Sequence, residues 1–135
     1  MVTGQVISSK VATVGLYDSN GTLVISAPTA NDGSFQLTAP AGTYTLVAVA
    51  SGFLSAEGSV TLTSGSSVTK ADVTLLAGDI DANNVIDQFD ALTIGMSYNT
   101  STPAAADLNN DGTINVLDLE ILAQNYRKTG PIAWE

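Results

Sequence analysis

The chain has 135 residues, no histidine and no cysteine, with thirteen acids against four bases and a formal charge of −9, although only 13% of its side chains are charged. Those counts exclude an imidazole general base, a thiol nucleophile, a thiolate zinc site and a disulfide scaffold, and so acidic a chain is ill suited to nucleic acid or an anionic membrane surface. Apolar residues make up 44%, enough to bury the core of one ordinary domain or two small ones.

The acids are unevenly placed. Up to Ala77 there are four (Asp18, Asp32, Glu57, Asp72) against Lys10 and Lys70, a net of −2; from Gly78 there are nine against Arg127 and Lys128, a net of −7. The texture changes at the same point, from Gly, Ser, Thr, Ala and Val with short apolar runs to Asp- and Asn-rich stretches with longer 3.6-residue periodicity. Two modules are expected, residues 1–77 and 78–135, meeting without a Pro- or Ser-rich linker and so able to pack as one rigid unit.

The first module predicts a β-sandwich of about seven strands. Its β-branched runs are Val2 to Ser8, Val11 to Tyr17, Thr22 to Ser26, Ser34 to Thr38, Thr43 to Ala50, Glu57 to Thr63 and Val68 to Leu76, punctuated by turns such as Asn31-Asp32-Gly33 and Pro40-Ala41-Gly42. In Thr43 to Val49 alternation puts Tyr44, Leu46 and Ala48 on one face. Phe35 and Tyr44 read as core aromatics, Asp32 as a turn former, and Phe53, beside a glycine in a loop-like stretch, as the one aromatic here that could be an exposed contact. Asn31-Asp32-Gly33-Ser34-Phe35, then Pro40-Ala41-Gly42-Thr43-Tyr44, then Ser51-Gly52-Phe53, resemble the carboxypeptidase-regulatory-like, transthyretin-like sandwich family over most of residues 2–76. Such modules are structural or interaction domains.

The chemistry lies in two twelve-residue stretches that align at an offset of 28, Asp79 to Asp90 and Asp107 to Asp118. Each carries oxygen side chains at positions 1, 3, 5, 9 and 12, an aliphatic residue at 8 and a carbonyl at 7, the pattern of an EF-hand-like calcium loop. Calcium takes six to eight hard oxygens, and a chain curling round the ion offers alternate side chains. Two Ca²⁺ are therefore expected. The first would be held by Asp79, Asp81, Asn83, Asp87, Asp90 and the Val85 carbonyl, the second by Asp107, Asn109, Asp111, Asn115, Asp118 and the Thr113 carbonyl, with a water possible at position 9. Seven of the thirteen acids are then ligands, and two ions bring −9 to −5. Position 6 is Gly112 in the second loop but Asn84 in the first, which tolerates the left-handed region at modest cost and predicts the weaker site. Asp rather than Glu closes both loops.

No entering helix precedes either loop, so the second module is expected to be small and all-α, built of two loop-helix repeats. The helices should run from about Gln88 to Asn99 and Val116 to Arg127, with Ala91, Ile94, Tyr98, Leu119, Leu122 and Tyr126, plus Ile86 and Ile114, as their shared core. Paired loop-helix repeats closed by Asp resemble the dockerin family, extracellular modules that bind cohesin domains. A carboxypeptidase-like sandwich running straight into Gly78-Asp79-Ile80-Asp81 resembles the X-module–dockerin pair of type II anchoring partners, and that resemblance covers nearly the whole chain.

A second apolar stripe lies outside the core face. By register with dockerins, the partner positions fall on Gln88, Phe89, Leu92 and Met96, and on Val116, Leu117, Glu120 and Gln124. The alternative is that the stripe packs on the sandwich. The two halves differ at matching positions, which argues for one binding orientation. Trp134, the only tryptophan, is expected either to pack on the start of the first loop or to lie in an exposed tail. Asn20-Gly21-Thr22 and Asn99-Thr100-Ser101 match the glycosylation acceptor pattern.

The expectation is a non-catalytic, calcium-dependent module, monomeric on its own, that binds a cohesin and attaches an extracellular protein to a scaffold or cell surface, as in a cellulosome. With neither His nor Cys, an enzyme would have only carboxylates to work with, and those are committed to metal. The competing expectation is a calcium-stabilised structural domain of an exported protein, with no cohesin partner. Residues 1–135 read as a piece of a larger secreted protein.

Overall fold

A computed structural model describes residues 1–134. In chain order the strands are β1 (Val2–Ile7), β2 (Thr13–Tyr17), β3 (Leu23–Pro28), β4 (Ser34–Leu37), β5 (Gly42–Val49), β6 (Gly52–Phe53), β7 (Ala56–Leu62), β8 (Val68–Thr69), β9 (Val73–Thr74) and β10 (Ala77–Asp79). Helices α1 (Gln88–Met96) and α2 (Val116–Gln124) follow, separated by a 3-10 turn at Ala104–Ala106, and β11 (Ile132–Ala133) comes after them.

Two sheets face each other. One has the order β11-β7-β5-β2-β3; in the other β1 lies between β4 and the parallel strands β8 and β9. Turn chemistry sets the connections: Asp18 Oδ1 accepts from the backbone N–H of Asn20 and Thr22 in the β2–β3 hairpin, and Asp32 Oδ1 accepts from that of Ser34 where the chain crosses from β3 to β4 in the other sheet. Period-2 alternation then sorts the side chains, so Tyr44, Leu46 and Ala48 of β5 are buried while Val49 is exposed. They meet Val14 and Leu16 of β2, Val60 and Leu62 of β7, Val2 and Val6 of β1 and Phe35 and Leu37 of β4 in one core. Truncating a fully buried member such as Leu46 to Ala would cost about 2–5 kcal/mol.

Three features depart from the sequence reading. The run Val68 to Leu76 is broken into β8 and β9 by exposed Ala71 and Asp72. The strands β6, β10 and β11 are two or three residues long, too short to show alternation. Phe53 is buried, because β6 pairs antiparallel with β10 and turns that ring into the junction between the modules, where the Lys10 ammonium lies 5.9 Å from its centre.

The junction is tightly made. Lys10 Nζ donates to the carbonyls of Ser51 and Ala104, Ser9 Oγ to that of Leu108, and Asn125 Nδ2 to that of Ala77. Burial holds the Lys10 pKa below the usual lysine value, against the pull of Asp107 and Asp118. Gly52 sits at φ 84°, and any side chain there would collide with the Ala105 carbonyl.

Trp134 neither packs on the first loop's start nor hangs free. β11 runs parallel to β7, Gly58 leaves room for the Trp134 backbone, and the indole is buried edge-on to Phe35 at 5.4 Å with its N–H donating to the Ala71 carbonyl. The chain passes the middle of the first loop, where Val85 bridges to Thr129, and its next residues reach the sandwich edge.

Candidate functional site

Both acidic loops are folded by their own carboxylates, in closely matching patterns at the offset of 28. Asp79 accepts from the N–H groups of Asn83 and Asn84, as Asp107 does from Asp111 and Gly112. Asp90 Oδ1 accepts from Ile80 and Asp81 and its Oδ2 from Asp87; Asp118 Oδ1 accepts from Asn109 and its Oδ2 from Asn115. Positions 4 and 6 are left-handed in both loops: Ala82 at φ 60°, Asn84 at 63°, Asn110 at 58° and Gly112 at 89°. Such turns aim successive N–H groups inward and free the carboxylates' remaining lone pairs for a common centre.

Each loop runs directly into its helix. Asp87 and Asn115 are the N-caps of α1 and α2, accepting from Phe89 and Leu117, and Asp90 and Asp118 complete capping boxes. The last acid of each loop therefore fixes the helix start as well as the loop.

Asp79, Asp81 and Asp90 converge with one oxygen each within 4.8 Å of the others, and so do Asp107, Asp111 and Asp118. Asp87 is not in the first triad. Asn83 Oδ1 accepts from the Val85 N–H, and Asn109 Nδ2 donates to Asp111. Asp79, Asp90, Asp107 and Asp118 are buried. Burial, and the neighbouring Asp81 carboxylate, push the Asp90 pKa up to about 6, and burial raises that of Asp79. Asp111, exposed, is held below the carboxylate range chiefly by the Thr113 N–H. Three hard oxygens crowded together and partly out of water are costly bare and suited to a divalent cation. The donor set fits calcium.

The helices stop three residues earlier than their periodicity predicts. Asn99 and Arg127, at φ 63° and 69°, reverse the chain. Asn99 N–H then donates to the Ile114 carbonyl and Arg127 N–H to the Ile86 carbonyl, crossing each helix end to position 8 of the other loop. Tyr98 and Tyr126 therefore leave the helical face and are exposed, as is Leu119, contrary to the expected core. Ile86, Ile94, Ile114 and Leu122 are buried as expected, and Ala106 and Leu108 fill the rest.

The second stripe does not pack on the sandwich. Phe89 is 61% exposed, Leu92 58%, Met96 79%, Val116 48% and Leu117 47%, and Gln88, Glu120 and Gln124 beside them are also exposed. Matching positions pair Phe89 with Leu117, Leu92 with Glu120 and Met96 with Gln124, so the first helix carries the more apolar face.

Asn84 has a role that local spacing does not reveal. Its Oδ1 accepts from the Ser55 N–H and hydroxyl, and its carbonyl accepts from the Gly130 N–H. The signal in the sequence was the mismatch between the repeats, Asn in one and Gly in the other.

Comparison with known proteins matches the carboxypeptidase regulatory-like domain to residues 2–76 and the dockerin type I domain to residues 77–125. Among solved structures, a C-terminal interface mutant of a type II cohesin-X-dockerin complex from Acetivibrio cellulolyticus is similar at 27% identity, over 95% of this chain and 96% of that one, with a TM-score of 0.72. An N-terminal interface mutant of the type II complex from the same organism matches at 26% identity, 95% and 96% coverage and a TM-score of 0.69. Comparison with curated proteins gives no match.

Proposed function

The chain belongs to the carboxypeptidase-regulatory-like family over residues 2–76 and continues into a dockerin type I domain, and on that premise we propose that it is a non-catalytic docking module whose partner is a cohesin domain. The observation that carries this reading is the exposed apolar stripe Phe89, Leu92, Met96, Val116 and Leu117 on two helices whose starts are fixed by the acidic loops. Contiguous apolar surface of this kind marks a protein interface, and the similar solved structures are cohesin-X-dockerin complexes.

We assign residues 1–77 to the sandwich and 78–135 to the dockerin, with β11 lent back to the sandwich sheet. Each EF-hand-like loop-helix repeat takes one Ca²⁺. Asp79, Asp81, Asn83, the Val85 carbonyl and Asp90 serve the first, and Asp107, Asn109, Asp111, the Thr113 carbonyl and Asp118 the second. Asp87 and Asn115, engaged as N-caps, act at position 9 through a water. When bound, the ion neutralises the carboxylates. The chain's own part is to keep Asp90 and Asp118 bonded to the loop N–H groups, holding the two helix faces in one relative orientation. The partner meets Gln88, Phe89, Leu92 and Met96 together with Val116, Leu117, Glu120 and Gln124. The unlike pairs across the repeat favour one orientation of the partner.

No helix among the described residues is long and apolar enough to cross a membrane. Calcium loops of this kind fill at the millimolar calcium outside cells, and the module works there, attaching its parent protein to a scaffold or cell surface in a cellulosome-type assembly. The test is co-elution of the full chain with a panel of type I and type II cohesins in calcium. A stable one-to-one complex with a panel member supports the reading. A folded monomer that loads calcium and binds none would leave only a calcium-stabilised structural domain.

A further inference from the structure

We infer that Asn84 transmits calcium occupancy of the first loop to the docking of the carboxy-terminal strand on the sandwich, so that the ion sets the rigidity of the joint between the modules. The inference rests on the assignment of the first loop as a calcium site. Its ground is a continuous chain of contacts found in only one of the two repeats.

The chain starts at the carboxylate triad. Asp79 accepts the Asn83 and Asn84 N–H groups at 3.1 and 2.8 Å. This holds Asn84 in the left-handed region, φ 63°, a conformation asparagine tolerates better than most residues. In that conformation Asn84 Oδ1 accepts from the Ser55 hydroxyl at 3.1 Å and the Ser55 N–H at 3.4 Å, and its carbonyl accepts from the Gly130 N–H at 2.8 Å. Ser55 is a node: its own carbonyl accepts from the Ile132 N–H at 2.7 Å, the first bond of β11 to the sandwich. Two residues on, the Trp134 N–H donates to the Glu57 carbonyl at 2.9 Å and the indole is buried against Phe35. Gly130 completes the fit, since a Cβ there would lie 3.0 Å from Asn84 Oδ1.

The second loop reaches the sandwich at Ser9, through the Leu108 carbonyl and the Asn110 amide, and not at the tail. Gly112, at the matching position, has no side chain, and an added Cβ would meet nothing within 4 Å. Asn84 is therefore a positioning residue. With the cation removed, Asp79, Asp81 and Asp90 repel one another across less than 4.8 Å. The opening of that loop carries off the peptide groups at 83 and 84, and with them the Asn84 contacts to Ser55 and Gly130 that hold the tail.

Trp134 is the only tryptophan, so its emission reports the tail directly. The test follows Trp134 emission and acrylamide quenching of the full chain during calcium titration, with calorimetry on the same samples. The expected result is a blue shift and reduced quenching as calcium loads. Asp81→Ala, in the first loop, loses the shift, and Asp111→Ala, in the second, keeps it. Asn84→Gly retains the calorimetric stoichiometry but loses the shift, and Asn84→Asp, which still offers an oxygen to Ser55, restores it. Ser55→Ala, which removes one donor to Asn84 without changing a loop residue, weakens it. Emission identical in chelator and calcium, or a wild-type shift in Asn84→Gly, overturns the inference. Absence of calcium uptake in calorimetry would overturn the ion assignment as well, a result distinct from uptake without a shift.

Discussion

Replacing Asp118 by Asn should reveal how far calcium holds the fold, because the loss should differ with and without the ion. Asp118 is fully buried, and its two oxygens accept separately from Asn109 and Asn115. The amide keeps one acceptor and turns an NH₂ group toward an N–H, which costs about 1–3 kcal/mol. Against that, it removes a carboxylate crowded within 4.8 Å of Asp107 and Asp111, and with it the repulsion from both, which is strongest from buried Asp107 and screened by solvent at exposed Asp111. In metal-free protein the relieved repulsion offsets the lost bond, so Asp118→Asn should cost little stability there. With free calcium at about 100 times its dissociation constant, each filled site adds about 2.7 kcal/mol. For a chain of this length that is about 10 °C in Tm per site, and about 20 °C for two. Thermal unfolding followed by circular dichroism in calcium and in chelator should give the wild type the full increment and Asp118→Asn about half. Equal increments for the two proteins, or no calcium effect on the wild type, would refute the assignment of Asp118 to an ion site.

Phe89→Ala should leave the calcium-dependent Tm increment intact yet weaken cohesin binding by about 2 kcal/mol, roughly thirtyfold, measured by titration calorimetry. Gly58→Ala places a Cβ on the Trp134 carbonyl; it should lift β11, red-shift Trp134 emission in calcium and destabilise the fold by about 1–3 kcal/mol in denaturant titration. The Asp90 pKa is raised to about 6, above its unfolded value near 4. Its contribution to metal-free stability is thus present below pH about 4 and lost as pH rises through about 6. Calcium competes with that proton, so calcium affinity, read by calorimetry across pH 5–7, should weaken as pH falls through about 6.

The acids were legible in the sequence because a divalent cation imposes its own period. Side chains at alternate positions of a twelve-residue loop, repeated 28 residues later, placed Asp79, Asp81 and Asp90 together with no tertiary information. The core strands were legible for a similar reason, since β5 alternates without interruption. What failed was the assumption that periodicity continues. Tyr98 and Tyr126 hold helical register on paper, but Asn99 and Arg127 turn the chain to bond Ile114 and Ile86 in the opposite repeat, a non-local demand. Trp134 and Phe53 were misplaced because their partners lie far along the chain, Ala71 in the break between β8 and β9 and β10 in a strand too short to signal itself. Asn84 read as a mere deviation from glycine because Ser55, its partner, is 29 residues earlier.

The central claim is that calcium-ordered helices present an apolar face to a cohesin. Titrating a type II cohesin into the full chain, once in millimolar calcium and once after chelation, tests it most directly. Saturable one-to-one binding in calcium that disappears in chelator and returns when calcium is restored is the predicted result. Equal binding in both conditions would contradict the calcium dependence, and no binding to any cohesin by a calcium-loaded, folded chain would contradict the docking function itself.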